Sequence, residues 1–268
     1  MFRCAVRRGI LGLFLLASCS APRKAFNVEA SRDASPSAGQ PAITLAVATL
    51  DLHGLKRRIG KSDVESLAAT LKRERIEVLA VQGIARYPTV KTRIDFVEAL
   101  LSSVDMRHVF GETMNISGRQ EGNAVFSTYP IRSHYSTEYK AKSANYESAL
   151  QVSVDAGVSE AMIISTRLPE NVSDRDLTSC VRTIVDIRNS VGGRPFIVAG
   201  NLPRSPELRK ADNFAEVRGA PGKSEVAPQS SILWYIESEA VKLIGARSVE
   251  TPLGSMVVAQ FGLFSKCP

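Results

Sequence analysis

Short apolar runs alternate with amphipathic segments along most of the chain after residue 42. β-branched and other apolar residues fill the runs, as in buried strands, and predict strands over 43–50, 78–81, 123–127, 149–154, 161–166, 195–200, 230–236 and 255–261. Three segments have apolar residues at helical spacing, which predicts helices over 62–75, 95–103 and 174–191. Ser62 and Glu65 have the spacing of a capping box at the start of the first helix. Because neighbouring strands often lack a helix between them, the pattern favours an α+β fold with mixed or antiparallel sheets covered by helices.

The first residues have the pattern of a bacterial export signal. Three arginines precede an apolar core at 10–16, which is too short to span a bilayer permanently. The Leu-Ala-Ser-Cys sequence at 16–19 resembles the lipobox of bacterial lipoproteins. This resemblance implies a diacylglyceryl thioether on Cys19, cleavage before it, and fatty acyl chains such as palmitate. The alternative is an ordinary secretory signal with an incidental cysteine.

The resulting organisation has three parts. Residues 1–18 are the predicted signal peptide, 19–42 form a tether rich in Ala, Ser, Pro and Gly, and 43–268 form the folded domain. Several acyl chains give stable membrane attachment. We therefore expect a lipid-anchored protein of the cell envelope, with its domain in the periplasm or at the surface. Ser20 rather than Asp follows the anchor, which favours the outer membrane over the inner membrane.

Composition and charge narrow the function classes only a little. Hydrophobic residues make up 44% and charged residues 23% of the 268 residues, which is ordinary for a globular protein. The formal charge is +7, and removal of residues 1–18 with three arginines leaves 31 − 27 = +4. No dense basic stripe with interleaved aromatic residues is present, so we do not expect nucleic acid as a partner. Cys180 and Cys267 are the thiols that remain beside Cys19, and whether they pair is left open.

Seven segments carry a family resemblance in their order along the chain. They are VATLDLHGL (47–55), IEVLAVQGI (76–84), EGNAVFSTYPI (121–131), IISTRLPE (163–170), RPFIVAGNLPRSPE (194–207), ILWYIES (232–238) and GSMVVAQF (254–261). Together they resemble the endonuclease/exonuclease/phosphatase family, which has the DNase I-like fold. The resemblance implies a four-layer α/β/β/α sandwich, with two mixed, largely antiparallel sheets flanked by helices.

The reactive positions of that family are nearly all changed in this chain. The family cleaves phosphate esters with a bound divalent metal, usually Mg²⁺, which needs oxygen ligands, and with a base that aligns water. The resemblance assigns these positions to Asp51 (an Asn in the family), Gly83 (the metal-binding Glu), Arg167 (a His), Asn201 (the catalytic Asp), Pro203 (an Asn) and Trp234 (an Asp). The Asp-His pair of the family falls on Leu253 and Gly254, or one residue later. Only Asp51 keeps an oxygen that could bind metal. An Arg that the family commonly has before its Ala-Leu strand is replaced near Glu147.

We therefore expect a catalytically inactive domain with a binding or structural role, no catalytic residues and no cofactor. The first alternative is an active phosphodiesterase, phosphatase or nuclease that uses Mg²⁺ at a rearranged site with Asp51. The second alternative is a non-cleaving binder of an anion or of nucleic acid. Arg167 and Arg204 could bind an anionic ligand or an unknown protein, unless Arg167 pairs with Asp51 or Glu147 and fills the old site. Trp234 either closes the pocket or is part of the core.

Overall fold

The computed structural model describes residues 40–52, 55, 58–87, 93–140, 147–168, 172–202, 214–217, 232–236 and 238–264. The strands are β1 (Ile43–Asp51), β2 (Val78–Arg86), β3 (Arg107–Ile116), β4 (Arg119–Ser127), β5 (Ile131–Glu138), β6 (Ser148–Asp155), β7 (Glu160–Arg167), β8 (Phe196–Asn201), β9 (Phe214–Val217), β10 (Ile232–Ile236), β11 (Val241–Thr251) and β12 (Gly254–Leu263). The helices are α1 (Lys61–Arg73), α2 (Phe96–Leu101) and α3 (Asp174–Ser190). Within these ranges, no helix has the length and apolar character that a membrane span requires.

The strands form two six-stranded sheets. The first sheet has the order β11-β12-β1-β2-β4-β3, and the second has the order β5-β6-β7-β8-β10-β9. The pairs β1–β2 and β7–β8 are parallel, whereas the other neighbours are antiparallel. Both sheets are therefore mixed and largely antiparallel, as the sequence predicted.

Alternating side chains give the sandwich three apolar layers. In β1, Leu45 and Val47 point into the core between the sheets, whereas Ala48 and Leu50 pack outward with α1 and α2. This is the two-residue period of a strand buried on both faces. Helix α3 covers the outer face of the second sheet, where it forms the third apolar cluster. The predicted four-layer α/β/β/α arrangement is confirmed.

All eight predicted strands and all three predicted helices are present, with bounds that differ by a few residues. The predicted capping box of α1 is wrong. Gly60 is the N-cap, and its backbone N–H donates to Asp63 Oδ2 at 2.8 Å. The Asp63 side chain reaches back one turn to the Gly60 N–H, so the helix begins at Lys61 and Ser62 lies inside its first turn.

The parallel pairs give the sandwich two distinct ends. Strands β1, β2, β7 and β8 all end at one of them, which we call the carboxyl-end pole. Strand β1 starts at the opposite end, the amino-end pole, where the Ala42 N–H donates to the Leu263 carbonyl at 2.9 Å. In mixed sheets of this kind, side chains from adjacent strand ends meet at one edge, so the carboxyl-end pole is the place to look for a site.

Candidate functional site

Three polar side chains that the sequence singled out meet at the carboxyl-end pole. Asp51 ends β1, and Arg167 and Asn201 are paired at the ends of β7 and β8. The Asn201 Nδ2 donates to Asp51 Oδ2 at 3.3 Å, which joins the two sheets across their interface. Each of the three residues is only 8% exposed. The predicted positions are therefore brought together, but in a nearly closed cluster.

Arg167 forms an ion pair inside this cluster. Its Nη1 donates to Glu147 Oε1 at 2.7 Å, and both side chains are largely buried. The Arg167 Nε, also buried, has no hydrogen-bond partner among the described residues. The sequence left open whether Arg167 binds an anionic ligand or pairs with an acid of the chain, and in the structure it pairs with Glu147. The guanidinium charge is compensated within the protein.

The Glu147 carboxyl group has unusual electrostatics. Its pKa is raised from 4.5 to about 7, chiefly by burial and in addition by the nearby charges of Asp51 and Glu121, whereas Arg167 opposes the rise. Desolvation disfavours the charged form of a carboxyl group, and a like charge acts in the same direction. These causes favour the protonated form of Glu147 relative to an exposed carboxyl group.

Gly83 lies at a β-bulge in β2, where the pairing with β4 shifts register between Val81 and Ile84. Its φ of +67° is in the left-handed region that favours glycine. The Gly83 N–H donates to Asn123 Oδ1 at 3.4 Å. At the position where the resemblance implies a metal-binding Glu, this chain therefore has no ligand atom and a backbone that disfavours any side chain.

Gln82, which precedes Gly83, holds the two sheets together directly below the cluster. Its Oε1 accepts from Thr49 Oγ1 at 3.1 Å. Its Nε2 donates to Ser165 Oγ at 3.0 Å and to the Ala199 carbonyl at 3.3 Å. Because Gln82 is fully buried and both ends of its amide are satisfied, it fixes the spacing of the strand ends.

The remaining predicted positions do not join the cluster. Trp234 is fully buried with α3 on the outer face of the second sheet, so it is part of the core. Its Nε1 has no hydrogen-bond partner among the described residues. Leu253 packs on the outer face of the first sheet. Gly254 follows it in the turn into β12 at φ +126°.

Other predictions lie wholly or partly outside the described residues. They concern Cys19, Pro203, Arg204 and Cys267. Cys180 itself is a buried, free thiol among the described residues. Burial raises its pKa to about 12, and Asp176 adds to the rise. The pairing of Cys180 with Cys267 stays a prediction.

The donor set does not fit the Mg²⁺ ion that the resemblance implies. Within the described ranges, no group of three or more His, Cys, Asp or Glu side chains could hold a metal. The Asp51 carboxylate accepts the amide of Asn201, and the Glu147 carboxylate accepts the guanidinium of Arg167. Mg²⁺ requires near-octahedral oxygen ligands, and the fixed positive charge of Arg167 opposes a divalent cation at this place.

Sequence reasoning missed the residues that support the cluster. Asn123 bridges the sheets, since its Nδ2 donates to the Ser148 carbonyl at 3.2 Å. The Tyr139 and Thr166 hydroxyl groups form a buried hydrogen bond, and burial raises the pKa of Tyr139, so it stays neutral. Asn123 lies in the Gly-Asn-Ala motif at 122–124, which was a usable signal, whereas nothing in the sequence marks Tyr139.

Comparison with known proteins gives the fold its context. No protein-family model matches the chain, and no curated protein matches it. Solved structures do match. An endonuclease/exonuclease/phosphatase from Beutenbergia cavernae is 17% identical, with a TM-score of 0.64 over 82% of this chain and 72% of that chain. The human Nocturnin catalytic domain with bound sulfate anion is 15% identical, with a TM-score of 0.62 over 82% and 94%.

A third match is D. rerio TDP2 complexed with single strand DNA product, at 11% identity and a TM-score of 0.60 over 81% of this chain and 98% of that chain. Identities this low establish shared architecture and leave activity to be argued from the site. The two mixed sheets, their order and these matches agree. The described part of this chain therefore has the DNase I-like fold of the endonuclease/exonuclease/phosphatase proteins.

Proposed function

We propose that this chain is a lipid-anchored protein of the cell envelope whose domain does not hydrolyse phosphate esters and has a binding or structural role. The observation that carries the proposal is the Arg167–Glu147 ion pair beside the Asn201–Asp51 hydrogen bond. These contacts engage the polar groups at the strand ends with one another. A hydrolytic site needs such groups available for water, metal and phosphate.

The separate parts of the family mechanism support the same conclusion. Gly83 supplies no metal ligand, Asn201 cannot take a proton from water, and Arg167 stands where the resemblance has a His. When catalytic groups act as a unit, the rate losses caused by replacing them are not additive. Removal of even one member lowers the rate by several orders of magnitude. Loss of three such groups leaves no route to the reaction of the family.

One observation favours a rival function. The carboxyl groups of Asp51 and Glu147 lie close enough to influence each other, and the Glu147 pKa of about 7 suits a general acid or base. An active phosphodiesterase or phosphatase with a rearranged site would use these two residues. The Arg167 contact makes this the weaker proposal, because it engages the Glu147 carboxylate.

A hydrolysis assay decides between these functions. The purified full-length protein is incubated in detergent with Mg²⁺ or Mn²⁺ and with plasmid DNA or bis-p-nitrophenyl phosphate. We expect no metal-dependent turnover above the blank for the wild type, Asp51→Ala, or a control variant Asp186→Ala, which changes an exposed acid on α3. Metal-dependent turnover that Asp51→Ala abolishes and Asp186→Ala retains would refute the inactive domain and establish the rival.

The lipid anchor is proposed from the signal pattern and is tested separately. In a bacterial host, protein from the membrane fraction is expected to begin at Cys19 and to carry the added mass of acyl chains. Cys19→Ser is expected to abolish both the mass and the stable membrane attachment, since one acyl chain or none binds only marginally. A mature protein without lipid would instead indicate an ordinary secretory signal.

A further inference from the structure

A group of cations lies at the amino-end pole of the first sheet. Lys72 and Arg73 are in the last turn of α1, Arg75 follows before β2, Arg107 opens β3, and Lys242 is the second residue of β11. All five side chains are exposed. They span the width of the first sheet, which is about 24 Å for five strand spacings. We call these five residues the basic pole.

The charge of the basic pole is only partly compensated. Glu74 accepts from Arg73 at 2.9 Å and also from Arg247 at 3.0 Å. Lys72 and Arg75 have no carboxylate partner within the part of the chain that the structure describes. Arg107 donates to the Thr128 carbonyl, which leaves its charge unopposed.

Three further acids at this pole, Glu77, Asp105 and Glu239, offset part of the charge, but none forms an ion pair with the five cations within the part of the chain that the structure describes. Glu77 is half-buried and accepts from the Tyr129 hydroxyl and from the Ala46 N–H, both at 2.9 Å. Asp105 is the exposed acid closest in sequence to Arg107. Lys242 lies over the ring of Phe264, 5.6 Å from its centroid, and forms no ion pair with any acid that the structure describes.

The second sheet differs at the same pole. Among the described residues, two of its cations there pair with acids, Arg132 with Asp155 and Arg194 with Glu160. Exposed cations without an acid partner are therefore found mainly on the first sheet at this pole. Exposed charge of one sign in one place is a physical basis for attraction to an oppositely charged surface.

The chain also enters the domain at this pole. Strand β1 begins at Ile43 between β12 and β2, that is, between Lys242 on one side and Arg75 with Arg107 on the other. Residues 20–42 connect it to Cys19. Even fully extended, a connection of this length reaches no more than about 80 Å. If Cys19 is acylated as proposed above, the basic pole is held near the membrane surface.

We propose that the basic pole lies against anionic phospholipid headgroups of the membrane that carries the anchor. The inference rests on the proposed lipid anchor. Each Lys or Arg close to such a surface strengthens binding by about fivefold, the equivalent of about 1 kcal/mol. A short connection to an anchor supplies an effective concentration in the millimolar range, so weak intrinsic binding is enough to orient the domain. The strand-end cluster at Asp51 and Arg167 then faces away from the membrane, toward partners in the surrounding compartment.

Vesicle sedimentation tests the surface without the anchor. The chain from residue 19 onward with Cys19→Ser keeps the tether and every described residue. It is mixed with vesicles of about 30 mol % phosphatidylglycerol in phosphatidylcholine, or of phosphatidylcholine alone. We expect binding to the anionic vesicles only, and a loss of at least about tenfold when salt rises from about 0.05 to 0.5 M.

Two triple variants with the same change of net charge separate position from total charge. Lys72→Glu/Arg75→Glu/Arg107→Glu changes the basic pole and is expected to lower anionic-vesicle binding by about 100-fold. The control Lys61→Glu/Arg175→Glu/Arg182→Glu changes exposed helix cations elsewhere and is expected to retain binding within about threefold. Circular dichroism and thermal unfolding establish that both variants are folded.

The remaining outcomes overturn the proposal. They are no salt-sensitive binding to anionic vesicles, equal losses in both triple variants, or tighter retention of a DNA duplex than of the vesicles, which would assign the surface to nucleic acid. Because this protein carries no acyl chain, its result is independent of the anchor. A missing lipid on Cys19 with intact vesicle binding would refute the anchor alone.

Discussion

Replacing Glu147 by glutamine tests the electrostatics of the strand-end cluster. In the folded protein, burial is the main cause that raises the Glu147 pKa from 4.5 to about 7, with contributions from Asp51 and Glu121 and opposition from Arg167. The difference between these two values corresponds to about 3 kcal/mol of preference for the protonated form. The carboxylate is only 16% exposed, so solvent screening reduces this magnitude little.

The sign of the pH effect follows from proton linkage. The folded protein holds the Glu147 proton more tightly than the unfolded chain does, so the stabilisation is complete below about pH 4.5 and is lost as pH rises through about 7. We expect this residue to lower the free energy of unfolding by up to about 3 kcal/mol between pH 5 and pH 8. Glutamine does not titrate, so Glu147→Gln lacks this decline.

The variant also removes the carboxylate partner of Arg167. Because the guanidinium group stays charged in this range, the pH dependence of its pairing with Glu147 is already contained in the Glu147 pKa, and any other effect of the substitution is a constant offset. The measurement is therefore the slope of stability with pH, obtained from urea unfolding at several values between pH 5 and pH 8. Relative to wild type, Glu147→Gln should gain up to about 3 kcal/mol over that interval.

A surface pair provides the control. Glu160 is 38% exposed and pairs with Arg194 at 2.7 Å, and Glu160→Gln is expected to change stability by less than about 1 kcal/mol. If the unfolding free energies of wild type and Glu147→Gln run parallel from pH 5 to pH 8, the explanation by burial and like charge is refuted.

Three further substitutions, the first with a matched control, probe the scaffold around the cluster. Gly200→Ala would place a Cβ 1.6 Å from the Thr166 carbonyl oxygen, so it should lower the free energy of unfolding by more than about 3 kcal/mol. Gly245→Ala, whose Cβ meets nothing within 4 Å, should change it by less than about 1 kcal/mol; similar thermal unfolding of the two would contradict the close-approach argument. Gln82→Ala removes three buried hydrogen bonds and should cost about 2–4 kcal/mol in urea unfolding, and a loss under about 0.5 kcal/mol would show that the bridge between sheets is dispensable. Gly83→Glu places a carboxylate at a backbone φ of +67° and should lower the free energy of unfolding by about 1–2 kcal/mol. We expect the variant to show no Mg²⁺-dependent cleavage of bis-p-nitrophenyl phosphate, and a gain of turnover would contradict our interpretation of the neighbouring residues.

The apolar pattern of the sequence predicted the interior strands of both sheets but not their edge strands. The four strands that it did not predict, β3, β5, β9 and β11, are the four edge strands of the two sheets. An edge strand is exposed along much of its length, as the burial of β5 illustrates, so it needs no continuous apolar run. The sequence therefore lacks an apolar run at these four strands because they lie at the edges of the sheets.

The convergence of Asp51, Arg167 and Asn201 could be anticipated from the family resemblance, because parallel strand ends meet at one pole. The role of Gln82 could not be anticipated from the sequence. Its hydrogen-bond partners at Ser165 and Ala199 are 83 and 117 residues away in the chain. A polar residue inside an apolar run indicates only that some buried partner exists, and the partner is fixed by the packing of the two sheets.

Several residues of the family motifs have a structural role that does not depend on catalysis. In the Gly-Asn-Ala motif, a Cβ on Gly122 would lie 2.0 Å from the Gly111 carbonyl oxygen, and Asn123 joins the bulge at Gly83 to the second sheet. Gly200 has the same constraint against Thr166. These residues are required for the close approach of strands and sheets whether or not any reaction occurs.

The charged side chains at the strand ends carry no such backbone constraint. Glu147 and Arg167 satisfy each other's charge at 2.7 Å. One member alone would leave a buried charge without a partner, at a cost of about 3–5 kcal/mol. The two residues are therefore energetically coupled, and Arg167→Leu in the Glu147→Gln background should cost measurably less than Arg167→Leu in the wild type. Additive losses in that double-mutant cycle would mean that the ion pair does not hold the cluster together.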